Sequence, residues 1–338
     1  MATTKVLLNF SWSKSKPESA KHKKESKISE SALQLAKSEL REDKKTREQS
    51  LVQMREWLKK NYDVENVRTD DTFLLRFLRN KKFSVPMAQQ QLLKYLNMRR
   101  VMGHLAYNLD FLSPGVKNLI DNGYIMISPI RDICGRRTVL YFANGLNGVE
   151  YEYSDQVKAH SIAYEILMES QEEQILGVVH IGDFAGASTS HVSIWKNPLE
   201  FLKILKWGEQ SIPLRHKEIH LYHISPLLKY VVDAGKSIIS SKMKERVHVH
   251  VTAEDLKKEI NSKDVLPSEL GGKVPMAEMI QLFKSELTSS RNTLLSLDKM
   301  QILNDAGIIG RRNCNKNNNT VSASSDQVVG SFRKLEFD

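Results

Sequence analysis

At 338 residues, with 41% hydrophobic and 27% charged side chains, the chain has the balance of a globular protein that buries a sizeable core. An excess of 50 Lys and Arg over 40 Asp and Glu gives a formal charge of +10 and points to an anionic partner: nucleic acid, acidic protein or the face of a membrane. Two distant cysteines, Cys134 and Cys314, exclude a disulfide framework and match no metal-ligand spacing, so a reducing compartment is expected.

Residues 1–27, rich in Lys and Ser, are expected to form a flexible basic tail, and Val6 to Leu8 is too short an apolar run for a signal-peptide core. From Ile28 to Lys60 apolar residues recur at three- and four-residue spacing, through Ala32, Leu35, Ala36 and Leu40 and then Leu51, Met54 and Leu58, which predicts helix. Thr69, Asp70 and Asp71 signal another helix start, with Phe73, Leu74, Phe77 and Leu78 predicted inward and Arg76 and Arg79 outward. Ser84 before Val85-Pro86 opens a further helix, continued on one face by Ala88, Leu92, Tyr95, Leu96 and Arg99. Residues 28–104 are therefore expected to be a small helical bundle.

After residue 120 short runs rich in β-branched and aromatic residues appear, at 123–130, 137–143, 175–184, 218–224 and 246–251. Helical stretches separate most of them: Ser154 to Gln171, Pro198 to Gln210 behind an Asn197 cap, and Pro226 to about Ser240. That alternation indicates an α/β domain with a mostly parallel sheet. The first two runs, with only Asp132 to Arg136 between them, read as an antiparallel hairpin. One more helix is expected from about Pro275 to Leu297, and residues 301–338, rich in Asn and Ser, as a mobile tail. No run approaches the roughly 18 apolar residues of a membrane span, so a membrane would be met from the side.

A search for catalytic or nucleotide-binding patterns finds none. "GLNG" at 145–148 has neither glycine-rich phosphate-loop spacing, and no nucleophile elbow is present. His220 and His223 on one strand, and His248 and His250 on the next, make a metal site geometrically conceivable. With no Cys or H-E-x-x-H beside them they are read as structural, and no metal or cofactor is expected. Asp183, at the C-terminal end of a strand, lacks a partner carboxylate or base and is read as fixing its loop.

The stretch "SPLLKYVVDAGKSIISSKMKER" carries Leu227, Leu228, Val231, Val232, Ile238 and Ile239 near helical spacing, with Lys229 and Lys236 on a common polar face. Such a helix either packs its apolar stripe on a sheet or lies on an anionic interface. Basic clusters border it: Arg215 and Lys217 before one strand, Lys242 and Arg246 before the next. In a βαβ crossover these four can share a surface, where Arg and Lys would hold a phosphorylated head group.

Taken together, "DDTFLLRFLRNKKFSVPMA", "GDFAG", "IHLYHI", "KMKERVHVH" and "LPSELGG" resemble the CRAL-TRIO lipid-transfer family, in its alpha-tocopherol transfer protein and clavesin-like branch, over about residues 45–300. The resemblance implies a helical N-terminal domain (28–104) and a lipid-binding domain (105–300) whose sheet is roofed by a movable gate helix, here Ser225 to about Ser241. It also implies that Arg215, Lys217, Lys242 and Arg246 bind phosphatidylinositol phosphates. Pocket positions implied are Val157, His160, Tyr164, Val178, Ile204, Trp207, Ile212, Leu214 and Ile219; His160, Tyr164 and Trp207 stand where the tocopherol protein has small or aliphatic residues. The expected activity is that of a cytoplasmic carrier, not an enzyme, holding one tocopherol-, retinoid- or other isoprenoid-like lipid and docking peripherally on phosphoinositide membranes without binding nucleic acid. The alternative is a phosphoinositide-binding adaptor in endosomal trafficking, whose tails contact protein partners.

Overall fold

Side-chain caps mark where the first helices begin. The computed structural model describes residues 28–187 and 198–309, apart from the side chains of residues 198–201 and of Leu227. Ser29 Oγ accepts from Ala32 N at the start of α1 (Glu30–Leu40), and Asp43 from Thr46 N at the start of α2 (Lys44–Lys60). The helical stretch expected from Ile28 to Lys60 is thus two helices: Arg41 takes a left-handed φ of 62° and Asp43 restarts the chain.

After β1 (Val64–Glu65), Asp70 Oδ1 accepts from Phe73 N at 3.0 Å to open α3 (Asp71–Asn80), and Pro86 lies in the first turn of α4 (Val85–Met102). Every residue of α3 from Phe73 to Arg79 is buried, which corrects the outward placement of Arg76 and Arg79. Arg76 donates to Glu165 at 2.9 Å and Glu169 at 2.6 Å, while Arg79 forks onto Glu42 at 2.9 and 2.7 Å. Polarity alone puts Arg outside; each guanidinium is taken inside here because carboxylates go in with it, the condition under which a buried charge is tolerated.

Beyond α5 (Pro114–Asp121) the chain builds one sheet, in the order β2 (Ile125–Ile127), β3 (Arg137–Phe142), β4 (Val178–Asp183), β5 (His216–Tyr222) and β6 (Val247–His250). β2 and β3 form the antiparallel hairpin, and the other neighbours are parallel, giving the α/β class expected. Between the strands lie α6 (Tyr153–Met168), α7 (Gln171–Leu176), α8 (Pro198–Ser211), α9 (Pro226–Ile238) and the single turn α10 (Ser241–Lys244). Asn197, the cap expected for α8, is outside the described residues. Gly177 is needed where β4 begins: its φ is 79°, and a Cβ there would stand 2.6 Å from the Arg215 carbonyl oxygen, which accepts from Val178 N at 2.9 Å.

The β4–β5 register slips between Val178 and Val179, which pair with His216 and Glu218. Because of that irregularity His216 and Ile219 both face the cavity described below, where strict alternation would put residues three apart on opposite faces. α11 (Ala253–Glu259) packs on β5 and β6, and α12 (Met276–Ser296) on β2, α5 and α6. Gln301–Ile302, expected to begin a mobile tail, instead form β7 against β1, and Leu303 N donates to Asp63 O at 2.7 Å. Residues 1–27 and 310–338 are outside the described residues.

Candidate functional site

A cavity of about 430 Å³ lies between the cavity-facing side of the sheet and helices α6, α8 and α9. That size suits one small hydrophobic molecule. α6 presents Val157, His160, Ser161 and Tyr164 as a helical stripe, and the sheet contributes Tyr141, His180, His216, Ile219 and Val247. α8 adds Ile204, Leu205 and Gly208, Ile212 follows just past its end, and Met98 and Met102 of α4 also line the cavity.

α9 forms the roof. Ser225 Oγ accepts from Leu228 N and Pro226 pre-sets the first turn, so the helix starts sharply where the chain leaves β5. Leu228, Val231, Val232, Gly235, Lys236 and Ile239 line the cavity, the spacing of one helical face. Lys236 follows the exposed Lys229 by seven residues, so the two share one edge of the helix about 20° apart, and Lys236 reaches the cavity rim from it. Ile238 lies off that face, roughly 90° round the helix from its middle, and does not line the cavity. The side chain of Leu227 is outside the described residues. At the roof's far end Ser240 N donates to the Glu209 carboxylate of α8, at 3.1 and 3.3 Å.

Of the pocket positions named from sequence, Val157, His160, Tyr164, Ile204, Ile212 and Ile219 lie on the cavity wall; Val178, Trp207 and Leu214 do not. Val178 is fully buried at the first position of β4, before the cavity begins at His180. Leu214 is core packing between α8 and β5. Trp207 projects roughly 130° round α8 from the lining stripe and packs against the core. Sequence reasoning missed Tyr124, Tyr141, Gln156, His180 and His216. His180 was findable, because it shares a strand face with Val178 two residues before it.

Charged side chains stand on the wall at Arg99, Glu165, Asp183, Glu209 and Lys236, and burial sets the charge of the rings. His160 is pushed down to about 4 by burial, and His216 to about 4 by burial and then by Arg246. Burial, then the neighbouring His216 and His160 rings, holds His180 well below the ordinary imidazole value. Tyr164 is pushed up to about 12 by burial. The surface these side chains keep faces the cavity, so all four are neutral at pH 7.

Arg215, Lys217, Lys242 and Arg246 come together beside the far end of α9 and α10. Arg215 Nη2 donates to Glu39 Oε2 at 2.7 Å and Lys217 Nζ to the same oxygen at 3.2 Å, so a carboxylate from α1 bridges two of the four cations. Arg246 donates to the His216 carbonyl and Arg215 to that of Ile175. Burial, then the field of Arg215, lowers Lys217, partly offset by Glu39. Lys242 is lowered by burial and then by Arg246, Lys82 and Arg215, which brings Lys82, unforeseen in the sequence, into the cluster. Burial would raise Glu39, but its hydrogen bond from Arg215 and the field of Lys217 outweigh that and hold it below the usual carboxylate value.

His220, His248 and His250 lie on the face away from the cavity: His220 Nδ1 bonds His250 Nε2 at 2.9 Å, and His220 Nε2 meets Glu218 at 3.2 Å. Among the described residues no group of three or more His, Cys, Asp or Glu is placed to hold a metal. Asp183 Oδ1 accepts from Ala185 N and meets His223 Nδ1, each at 2.8 Å, which fixes the loop after β4.

Residues 121–272 match the family described as CRAL/TRIO domain. The chain carries a CRAL/TRIO domain. It is 29% identical to Clavesin-1 of Xenopus laevis over 73% of this chain and 74% of that protein. It is 26% identical to the alpha-tocopherol transfer protein-like protein of Homo sapiens, over 72% of this chain and 71% of that one. The crystal structure of Sfh5 matches at a TM-score of 0.49 and 13% identity over 75% of this chain and 99% of that one, a score too low to add weight. The CRAL/TRIO domain contains the sheet, the roof helix and the four expected cations, while Glu39, Met98 and Met102 reach the site from helices that precede it and Lys82 from the turn between α3 and α4.

Proposed function

We propose that the protein is a non-catalytic carrier that holds one hydrophobic lipid in the cavity and exchanges it at phosphoinositide-bearing intracellular membranes. The observation that carries this reading is the roof helix: its apolar face is cavity wall, and the basic cluster lies at its end. Exposing Leu228, Val231, Val232 and Ile239 to water would cost roughly 1.5–3 kcal/mol per side chain, whereas passing them from cavity to lipid is close to neutral. Opening is thereby tied to contact with a membrane. Cations near an anionic leaflet contribute on the order of 1 kcal/mol each, and an inositol phosphate would compete with Glu39 for Arg215 and Lys217. No described helix is long and apolar enough to cross a membrane, which fits a peripheral encounter.

Replacing Arg215, Lys217, Lys242 and Arg246 together by Ala is expected to slow lipid transfer to vesicles containing phosphatidylinositol bisphosphate about tenfold or more, with lipid binding in solution unchanged. In the same assay Glu39→Gln, which frees two cations, is expected to strengthen vesicle binding. Transfer that ignores the four-fold substitution would sink the docking mechanism.

A further inference from the structure

One line of neutral polar groups crosses the wall between α6 and the sheet. Gln156 Nε2 donates to Tyr124 Oη at 2.7 Å, and Tyr124 Oη shares a hydrogen bond with His160 Nε2 at 2.8 Å. Farther along, His180 Nε2 and His216 Nδ1 share one at 2.8 Å. Tyr164 joins the two halves, its ring edge-on to His160, His180 and His216 at centroid distances of 6.2, 5.6 and 5.8 Å. Tyr141 stands edge-on to His160 at 5.6 Å, in space opened by Gly182, where a Cβ would fall 2.1 Å from the tyrosine ring.

The hydrogen-bonding capacity of this line is not used up. Two neutral imidazoles joined by one N···N bond leave one N–H and one lone pair on their outer nitrogens, whichever tautomers they adopt. Among the described residues neither outer nitrogen has a hydrogen-bond partner, nor do the Tyr141 and Tyr164 hydroxyls, nor Gln156 Oε1. Gln156 Oε1 is shut off from solvent and the other atoms open onto the cavity, so whatever fills the cavity must satisfy them or leave them unpaired at a cost. They match a ligand group that both donates and accepts. A hydroxyl does both, whereas a carboxylate only accepts and brings a charge that no group in this line offsets. Of the cations on the cavity wall, Arg99 is paired with Asp298 at 2.8 Å, and Lys236 belongs to the roof.

We infer that this line is the head-group subsite of the cavity and that the cargo is a neutral lipid alcohol, not a fatty acid or a plain hydrocarbon. The inference rests on the carrier reading and adds the chemistry of the cargo. Its test is competitive loading of the delipidated full chain at neutral pH with equimolar phytol, phytane and phytanic acid, and separately with octadecanol, octadecane and octadecanoate. Bound lipid is quantified after gel filtration. In at least one series the alcohol is expected to exceed both competitors by about tenfold or more. Tyr141→Phe and Tyr164→Phe remove hydroxyls that have no hydrogen-bond partner among the described residues, so each is expected to leave the thermal midpoint unchanged or raised. Each should nonetheless shift loading from alcohol towards hydrocarbon, a combination that a purely structural role does not produce. Dominance by the acid, or equal capture of all three, overturns the subsite while the carrier reading stands. Capture of none in either series overturns both.

Discussion

His160 and His216 give the wall a pH response whose sign follows from burial. In the unfolded chain each ring titrates near 6.5, and in the folded protein near 4, so between those values the unfolded state binds more protons. The stabilisation is complete above pH 6.5 and is lost as pH falls towards 4, on the order of 2 to 3 kcal/mol per ring. Chemical denaturation at several pH values is expected to show stability falling across this window, and His160→Gln should remove about half of the fall attributable to the pair. A flat profile from 6.5 to 4 would mean that the rings are hydrated in the folded state. At this scale the sequence was only partly legible. His160 and Tyr164 were placed by the family resemblance, with which their helical spacing from Val157 agrees, but His216 was not, because the slip in β5 undoes the alternation from which strand faces are read. Arg76 and Arg79 were misplaced for a related reason: their carboxylate partners Glu165, Glu169 and Glu42 are remote in sequence, and nothing local announces the pairing.

Among the elements, the roof helix was the most legible, since Ser225-Pro226 marks its start and the apolar spacing of its inner face is local information. What holds it shut was not visible, because it depends on a neighbouring helix. Glu209 of α8 accepts from Ser240 N just past the end of α9, and Gly235 lets α9 approach Leu205 of α8, where a Cβ would meet its Cδ1 at 3.2 Å. Glu209 thus ties down the end of the roof next to the basic cluster. Glu209→Ala removes this acceptor without touching the apolar stripe, and the Ser240 amide regains a partner from water when the roof lifts. The expected result is lipid dissociation faster by a few-fold to about tenfold, with a thermal midpoint close to that of the unmodified protein. Unchanged dissociation would place the latch elsewhere on the roof.

For the molecule as a whole, sequence texture suggests a division near residue 104, helical before and α/β after. The core does not stop there. It runs from Leu51 of α2 through Phe77 of α3 and Leu96 of α4 into the sheet, and on to Phe283 of α12 and Ile302 of β7. Buried ion pairs cross the same boundary, Arg76 to Glu165 and Glu169 of α6, and Arg99 to Asp298 beyond α12, while β1 and β7 pair residues from opposite ends of the described chain. Breaking such a pair by exposing one half leaves a buried charge uncompensated, at roughly 3–5 kcal/mol. The helices before residue 104 therefore cannot loosen without stranding charges in the α/β part. Thermal unfolding followed both by helical circular dichroism and by tryptophan fluorescence is expected to give one coincident transition. Two separated transitions would instead mean that residues 28–104 and 105–300 fold independently, and that the part of the cavity wall formed by Met98 and Met102 can part from the sheet without the roof moving.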